Sequence, residues 1–218
     1  MTALRIAIVG AESTGKSALA QALAGALSRE LGLRCVVVDE YLRTWCDERG
    51  RTPRADEQMG IAREHARRIA AAAAQPDVDA VLCDTTPLMV SVYSDLLFDD
   101  RSLDACARAC QQGFDLTLLT ALDLPWVPDG LQRDGPHVRA PVDALVRARL
   151  LEWRIEWCTI GGLGEARTRQ ALEALLPLLR RRGAHDPGAG PPRPAWRCEH
   201  CDLPECERLT RAGATRFR

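Results

Sequence analysis

The chain has 218 residues, 46% of them hydrophobic, which suits one α/β domain with a small appendage. Its net charge of −1 excludes a general electrostatic attraction to nucleic acid, and no apolar stretch approaches the ~20 residues that span a bilayer. The first strand pattern begins at once, so a signal peptide is not expected and the protein reads as cytoplasmic, its nine cysteines serving as reduced thiols or metal ligands.

In chain order, residues 4–9 form a short apolar run of strand character. Gly10-Ala11-Glu12-Ser13-Thr14-Gly15-Lys16-Ser17 follows directly and matches G-x-x-x-x-G-K-[ST] in full. Of the chain's 29 lysines and arginines, Lys16 is the one lysine. A compact ammonium on a slim stem reaches between phosphates where a planar guanidinium does so poorly. The two glycines let the backbone curl so that successive N–H groups point at phosphates, and the helix read over 17–31 adds the positive end of its dipole. The loop with Ala18 is therefore expected to hold ATP. Lys16 is expected on the β- and γ-phosphates, and Ser17 as a ligand of Mg²⁺.

Further short apolar runs lie at 34–39, 80–84, 115–120 and 156–160, and helical patterns at about 55–74, 87–97, 101–112, 141–154 and 164–182. Strands alternating with helices predict a five-stranded parallel sheet covered on both faces, a P-loop NTPase fold. Cys35, Cys83 and Cys158 fall in strands and read as buried small apolar residues. Ligands of such sheets sit beyond the carboxyl ends of the strands. There the second run is followed by Glu40, Tyr41 and Arg43, and the third ends at Asp84. Asp84 suits either a Mg²⁺-holding acid beside the phosphate loop or a helix N-cap. Glu40 or Asp39 could take a proton from a substrate hydroxyl or clamp a ribose; Glu40 is preferred, since adjacent strand residues point to opposite faces. Tyr41 reads either as a ring-stacking residue or as core. Residues 126–139, hinged by Gly130 and Gly135, carry Arg133 and Arg139 and read as a lid that closes over phosphates or as a surface loop.

After Arg182 the composition changes. Residues 183–195 are a Pro/Gly linker, dividing a P-loop domain at 1–182 from a Cys-rich basic tail at 196–218. Cys198, Cys201 and Cys206 follow C-x₂-C-x₄-C, whose first pair has metal-knuckle spacing; Zn²⁺ is the default, an iron–sulfur cluster the alternative, and free thiols the third reading. His185 and His200 are candidates for a fourth ligand. The late arginines read as a solvated tail, with an RNA- or lipid-binding tail as the alternative.

Four segments carry a family resemblance: the 10–17 loop, Glu40-Tyr41-Leu42-Arg43, Cys83-Asp84-Thr85, and Trp126-Val127-Pro128-Asp129-Gly130. In order and spacing they resemble the ribosylnicotinamide kinase domain of NadR-type regulators of NAD biosynthesis and the related P-loop AAA family ATPases, over residues 4–180. In that family an arginine commonly follows Asp-Gly-Leu at once; here Gln132 intervenes before Arg133. The resemblance implies a nucleoside/nucleotide-kinase-like fold and ATP-dependent phosphorylation of nicotinamide riboside on its 5′-hydroxyl. It implies Glu40, Tyr41, Arg43 and Asp129 at the nucleoside, and Asp84 near Mg²⁺ and the acceptor. With no nucleotidyltransferase or helix-turn-helix module before the loop, a stand-alone kinase is expected. The alternative is an ATPase switch of the same family without a small-molecule acceptor.

Overall fold

The computed structural model describes residues 2–127 and 135–182. Within them, Arg133, Asp129, Cys198, Cys201 and Cys206 have no place, so the lid arginine, one nucleoside contact and the metal cluster lie outside the described residues.

The elements in chain order are β1 (Leu4–Val9), α1 (Lys16–Leu31), β2 (Cys35–Val38), α2 (Tyr41–Arg49), α3 (Ala55–Ala73), β3 (Ala80–Asp84), α4 (Pro87–Phe98), α5 (Asp104–Gln111), β4 (Leu116–Thr120), α6 (Arg139–Glu152), β5 (Trp157–Ile160) and α7 (Gly164–Arg181). A 3₁₀ turn, Pro136–Val138, leads into α6. The five strands form one sheet in the order β2-β3-β1-β4-β5, every pair parallel. Parallel pairing forces each connection to cross over the sheet, and the helices of those crossovers cover both faces.

Alternation along β1 separates the two faces. Leu4, Ile6 and Ile8 pack with Leu19, Leu23 and Leu27 of α1 and with Ala171, Leu175 and Leu179 of α7. Ala7 and Val9 face the other way, against Leu88 and Val92 of α4, Ala107 of α5 and Val142, Val146 and Leu150 of α6. A third cluster seats Ile69 and Ala72 of α3 on Val81 and Cys83. Cys83 is fully buried as expected, whereas Cys35 and Cys158 are only half-buried because β2 and β5 are the sheet edges. Among the described residues no helix is long and apolar enough to cross a membrane.

One element was not read from the sequence. Residues 41–49, assigned there to neither strand nor helix, form a helix. Its signals are Leu42, Trp45 and Cys46 at i, i+3, i+4 spacing and Gly50, which ends the helix in left-handed geometry (φ 65°) with its N–H on the Cys46 carbonyl at 2.7 Å. Trp45 and Cys46 are buried against Ile61, Ala62, Val90 and Leu103, so α2 is pinned onto α3 and α4.

Register puts the carboxyl ends of β1, β2, β3 and β4 at one edge of the sheet. Ile8 pairs with Asp84, Val38 with Cys83, and Val9 with Leu119. The glycine loop, the acid after β2, the acid ending β3 and Thr120 thereby share one end of the sheet.

Candidate functional site

The loop between β1 and α1 is held open by close approaches that only small residues allow. Gly10 sits at φ 145°, and a Cβ there would stand 2.2 Å from the Thr120 hydroxyl. Thr14 is fully buried; its hydroxyl donates to the Ala11 carbonyl at 2.7 Å and lies 2.6 Å from the Thr120 hydroxyl. Ser13 takes a left-handed φ of 52° and exchanges two hydrogen bonds with the Val127 backbone, donating to its carbonyl at 3.0 Å and accepting from its N–H at 3.2 Å. The segment after β4 is thus stitched over the loop. Gly15 caps α1 at φ 74°, and Leu124 would lie 2.9 Å from a Cβ there. Lys16 opens α1 and turns its Nζ back onto the Ala11 carbonyl at 2.8 Å. Ser17 and Ala18 are exposed on the first turn.

Arg167 of α7 completes the frame. Buried to 5% exposure, it donates to the Thr14 carbonyl (2.7 Å), the Gly162 carbonyl (2.9 Å) and Asp123 Oδ1 (2.9 Å). Although burial alone would raise it, the Asp123 carboxyl is held below its ordinary value by that guanidinium and by the Gly162 N–H. Nothing in the sequence pattern singled out Arg167, because one arginine among so many on an amphipathic helix reads as a solvated face.

Two cavities flank the loop. One, of about 480 Å³, is lined by Glu12, Ser13 and Lys16 of the loop, Glu40, Leu42, Arg43 and Cys46 around α2, Gln58 of α3, Thr85, and Met89, Tyr93, Leu97 and Phe98 of α4. The other, of about 680 Å³, is bounded by Gly15, Ala18 and Leu19 of α1, Leu124, and Gly162, Arg167 and Leu172 toward α7. The sequence reading had not anticipated this second cavity.

Glu40 occupies the N-cap position of α2 and lines the first cavity together with Lys16, while Asp39 is exposed. Arg43, one turn on, donates to Glu40 Oε2 at 3.0 Å. Burial pushes the Glu40 carboxyl above its ordinary value; Lys16 opposes this, Asp84 reinforces it and Arg43 opposes it. Asp84 ends β3 nearly fully buried, its Oδ1 without a hydrogen-bond partner among the described residues. The helix-capping role that competed for Asp84 is taken by Thr86, whose hydroxyl accepts from the Leu88 N–H at 3.3 Å and donates to Gln111. Between them, Thr85 is held at φ 67°, a strained conformation for a β-branched residue and common where geometry serves a site.

Other expected residues lie elsewhere. Tyr41 is absent from the lining of both cavities; it packs on the Trp45–Ile61 cluster with the Arg68 guanidinium 4.1 Å from its ring centre, because the helical turn at 41 rotates it away from the sheet end. Arg139 begins α6 with Nε and Nη2 buried and lacking partners among the described residues, and it lines neither cavity. Glu12, expected on the nucleotide, turns into the first cavity, where its Oε1 accepts from the Tyr93 hydroxyl at 3.4 Å. The wall carrying Tyr93 is braced from behind by buried Arg149 of α6, which pairs with Asp95 of α4 and, at 3.2 Å, with Asp104 of α5.

Among solved structures the chain is similar to a NadR protein in complex with NAD and AMP-PNP, with TM-score 0.66 and 17% identity over 85% of this chain and 51% of that one. A NadR protein in complex with NR aligns with TM-score 0.68 and 18% identity over 84% of this chain and 53% of that one. A thymidylate kinase from Ehrlichia chaffeensis aligns with TM-score 0.58 and 16% identity, over 82% of this chain and 100% of that one. The chain spans about half the length of the NadR chains. What these structures share with it is the P-loop fold of nucleoside and nucleotide kinases. No curated protein matches the sequence. The AAA domain family matches residues 5–167, from β1 and its phosphate loop to the arginine that braces that loop, and the chain belongs to this family.

Proposed function

We propose that the chain is an ATP-dependent phosphotransferase that moves the γ-phosphate of ATP to the 5′-hydroxyl of a nucleoside, nicotinamide riboside being the first candidate. The observation that carries the reading is that Lys16 and Glu40 line one cavity of about 480 Å³. A switch needs the loop and its lysine; it does not need a cavity that sets a partly buried carboxylate beside that lysine.

The triphosphate lies along the loop N–H groups and the first turn of α1. Its base side faces the cavity bounded by Gly15, Ala18, Leu124 and Gly162, and its γ-phosphate faces Lys16 and the acceptor. Lys16 leaves the Ala11 carbonyl to meet the β- and γ-oxygens. The residues present fit Mg²⁺: the exposed Ser17 hydroxyl and the unpartnered Oδ1 of Asp84, at the strand end beside the loop, would hold it, directly or through water. When bound, the ion neutralises charge on the β- and γ-oxygens.

Glu40 accepts the proton of the acceptor hydroxyl. The freed oxygen bonds to the γ-phosphorus while the bond to the bridging oxygen breaks, and ADP leaves with that electron pair. A carboxyl raised by burial works closer to neutral pH than an ordinary one, which favours it as a base. Rate comes mainly from alignment and charge neutralisation. The test is ATP consumption with and without a nucleoside panel. Acceptor-dependent formation of ADP and a nucleoside monophosphate is expected; acceptor-independent hydrolysis alone would favour the switch.

A further inference from the structure

Among the described residues two glutamine side chains, Gln58 and Gln111, are buried, and they differ. Gln111, 1% exposed, has both ends of its carboxamide engaged: Oε1 accepts from the Thr86 hydroxyl at 2.7 Å and Nε2 donates to Thr117 at 2.8 Å. Gln58, 3% exposed, makes no hydrogen bond among the described residues, and it lines the cavity shared by Lys16 and Glu40. Its carboxamide is not among the sealed, unpaired polar atoms of the domain, so its two ends open onto the cavity, and a molecule that filled the cavity would have to meet them with a matching donor and acceptor. Nothing in α3 asks for it: Gln58 is neither a cap nor part of an ion pair, and the neighbouring Glu57 carries the helix-start contacts to Arg51 and Arg54. Its position makes sense if its partner is the molecule that fills the cavity.

The surroundings say what kind of molecule. Leu42, Met89, Leu97 and Phe98 supply apolar surface around the same space. Leu97 and Phe98 stay 52% and 38% exposed, so they form a mouth that a flat ring would cover. A carboxamide offers one donor and one acceptor side by side in a plane. Its complement is a ring edge with the reverse pair: a ring-borne carboxamide or the amide or amidine edge of a nucleobase.

We propose that Gln58 is a specificity-determining residue that reads the hydrogen-bonding edge of the acceptor's planar ring, and that the acceptor carries an adjacent donor and acceptor on that edge. This rests on the phosphotransferase reading above. Ribose alone would not require it, because hydroxyls can be met by either end of any polar side chain.

The experiment compares wild type with Gln58→Leu and Gln58→Glu, using nicotinamide riboside, uridine and adenosine as edge-bearing acceptors and the unsubstituted pyridinium riboside as the control. For the acceptor the wild type prefers, Gln58→Leu should raise KM roughly 10- to 100-fold with little change in kcat. The control acceptor and the KM for ATP should be unaffected, and Gln58→Glu, which keeps the acceptor end only, should fall between. Thermal melting shows that each variant is folded. If wild type phosphorylates a nucleoside and Gln58→Leu leaves its preference unchanged, or weakens edge-bearing and control acceptors alike, this inference fails and the kinase reading stands. If wild type neither phosphorylates nor, by calorimetry, binds any of the four ribosides, both fall together.

Discussion

Arg167 donates to the backbone carbonyl of Thr14 at 2.7 Å, joining α7 to the middle of the phosphate loop across most of the domain. The same guanidinium engages Asp123 and Gly162, so the loop, the segment after β4 and the turn after β5 meet at one buried charge. The Thr14 carbonyl must point away from the phosphates if the neighbouring N–H groups are to point toward them. Arg167 supplies the donor that makes this orientation favourable.

Replacing it tests that role. Arg167→Leu should cost roughly 2–3 kcal/mol of stability, since it strands a loop carbonyl and one side of the Asp123 pair. It should also weaken ATP binding roughly 10-fold. Urea unfolding and calorimetric titration with a non-hydrolysable ATP analogue check both, and unchanged affinity would mean that the loop keeps its shape without the brace.

Lys16 belongs to the opposite class. Its ammonium meets one loop carbonyl, its side chain is only half-buried, and no core cluster contains it. Lys16→Ala should therefore lower ATP turnover at least ~100-fold while moving the melting temperature little. A folded variant with wild-type turnover would sink the assignment of the loop.

Why so much of this was legible follows from the physics of parallel sheets. Each strand is buried on both faces, so 4–9 and 80–84 stand out as apolar runs, and the crossover helices repeat at helical period. The phosphate loop is legible because its function needs contiguous residues. The acceptor side is different: Lys16, Glu40, Gln58, Thr85 and Met89 come from five places in the chain and meet only through the sheet order. Helix α2 is hard to read because residues 40–43 stand out as chemistry beyond a strand end and its apolar stripe, Leu42, Trp45 and Cys46, is short. Tyr41, which reads from the sequence either as a ring-stacking residue or as core, packs on the Trp45 cluster. Arg167 and Gln58 carry no local pattern at all; only their burial and their partners mark them.

Glu40 makes a prediction about pH. As a base it must be deprotonated, so turnover falls as pH drops through its pKa. Burial raises that pKa despite the opposing charges of Lys16 and Arg43. The acid limb of the kcat/KM profile is therefore expected above the ordinary carboxylate range. Arg43→Gln removes one of the opposing charges and should move the limb further up. Glu40→Gln should lower kcat roughly 10²- to 10⁴-fold and abolish the limb. An acid limb that persists in Glu40→Gln would assign the proton transfer to another group.

His65 should control stability without touching the site. It lies on α3 at 1% exposure, its Nε2 has no hydrogen-bond partner among the described residues, and it lines neither cavity flanking the loop. Burial, with a smaller push from Arg68, lowers its pKa from 6.5 to about 4. The unfolded chain therefore binds this proton over a range of pH in which the folded chain does not. The stabilisation is complete above about pH 6.5 and is lost as pH falls toward about 4. At 1.36 kcal/mol per unit, the loss across that window amounts to roughly 3 kcal/mol. His65→Met keeps a similar volume and has no proton to bind. Urea unfolding of wild type and His65→Met at pH 7 and pH 5 should show wild type losing stability relative to the variant as pH falls, while kcat at pH 7 stays the same. Parallel losses in the two proteins would mean that the buried imidazole is not what acid attacks first.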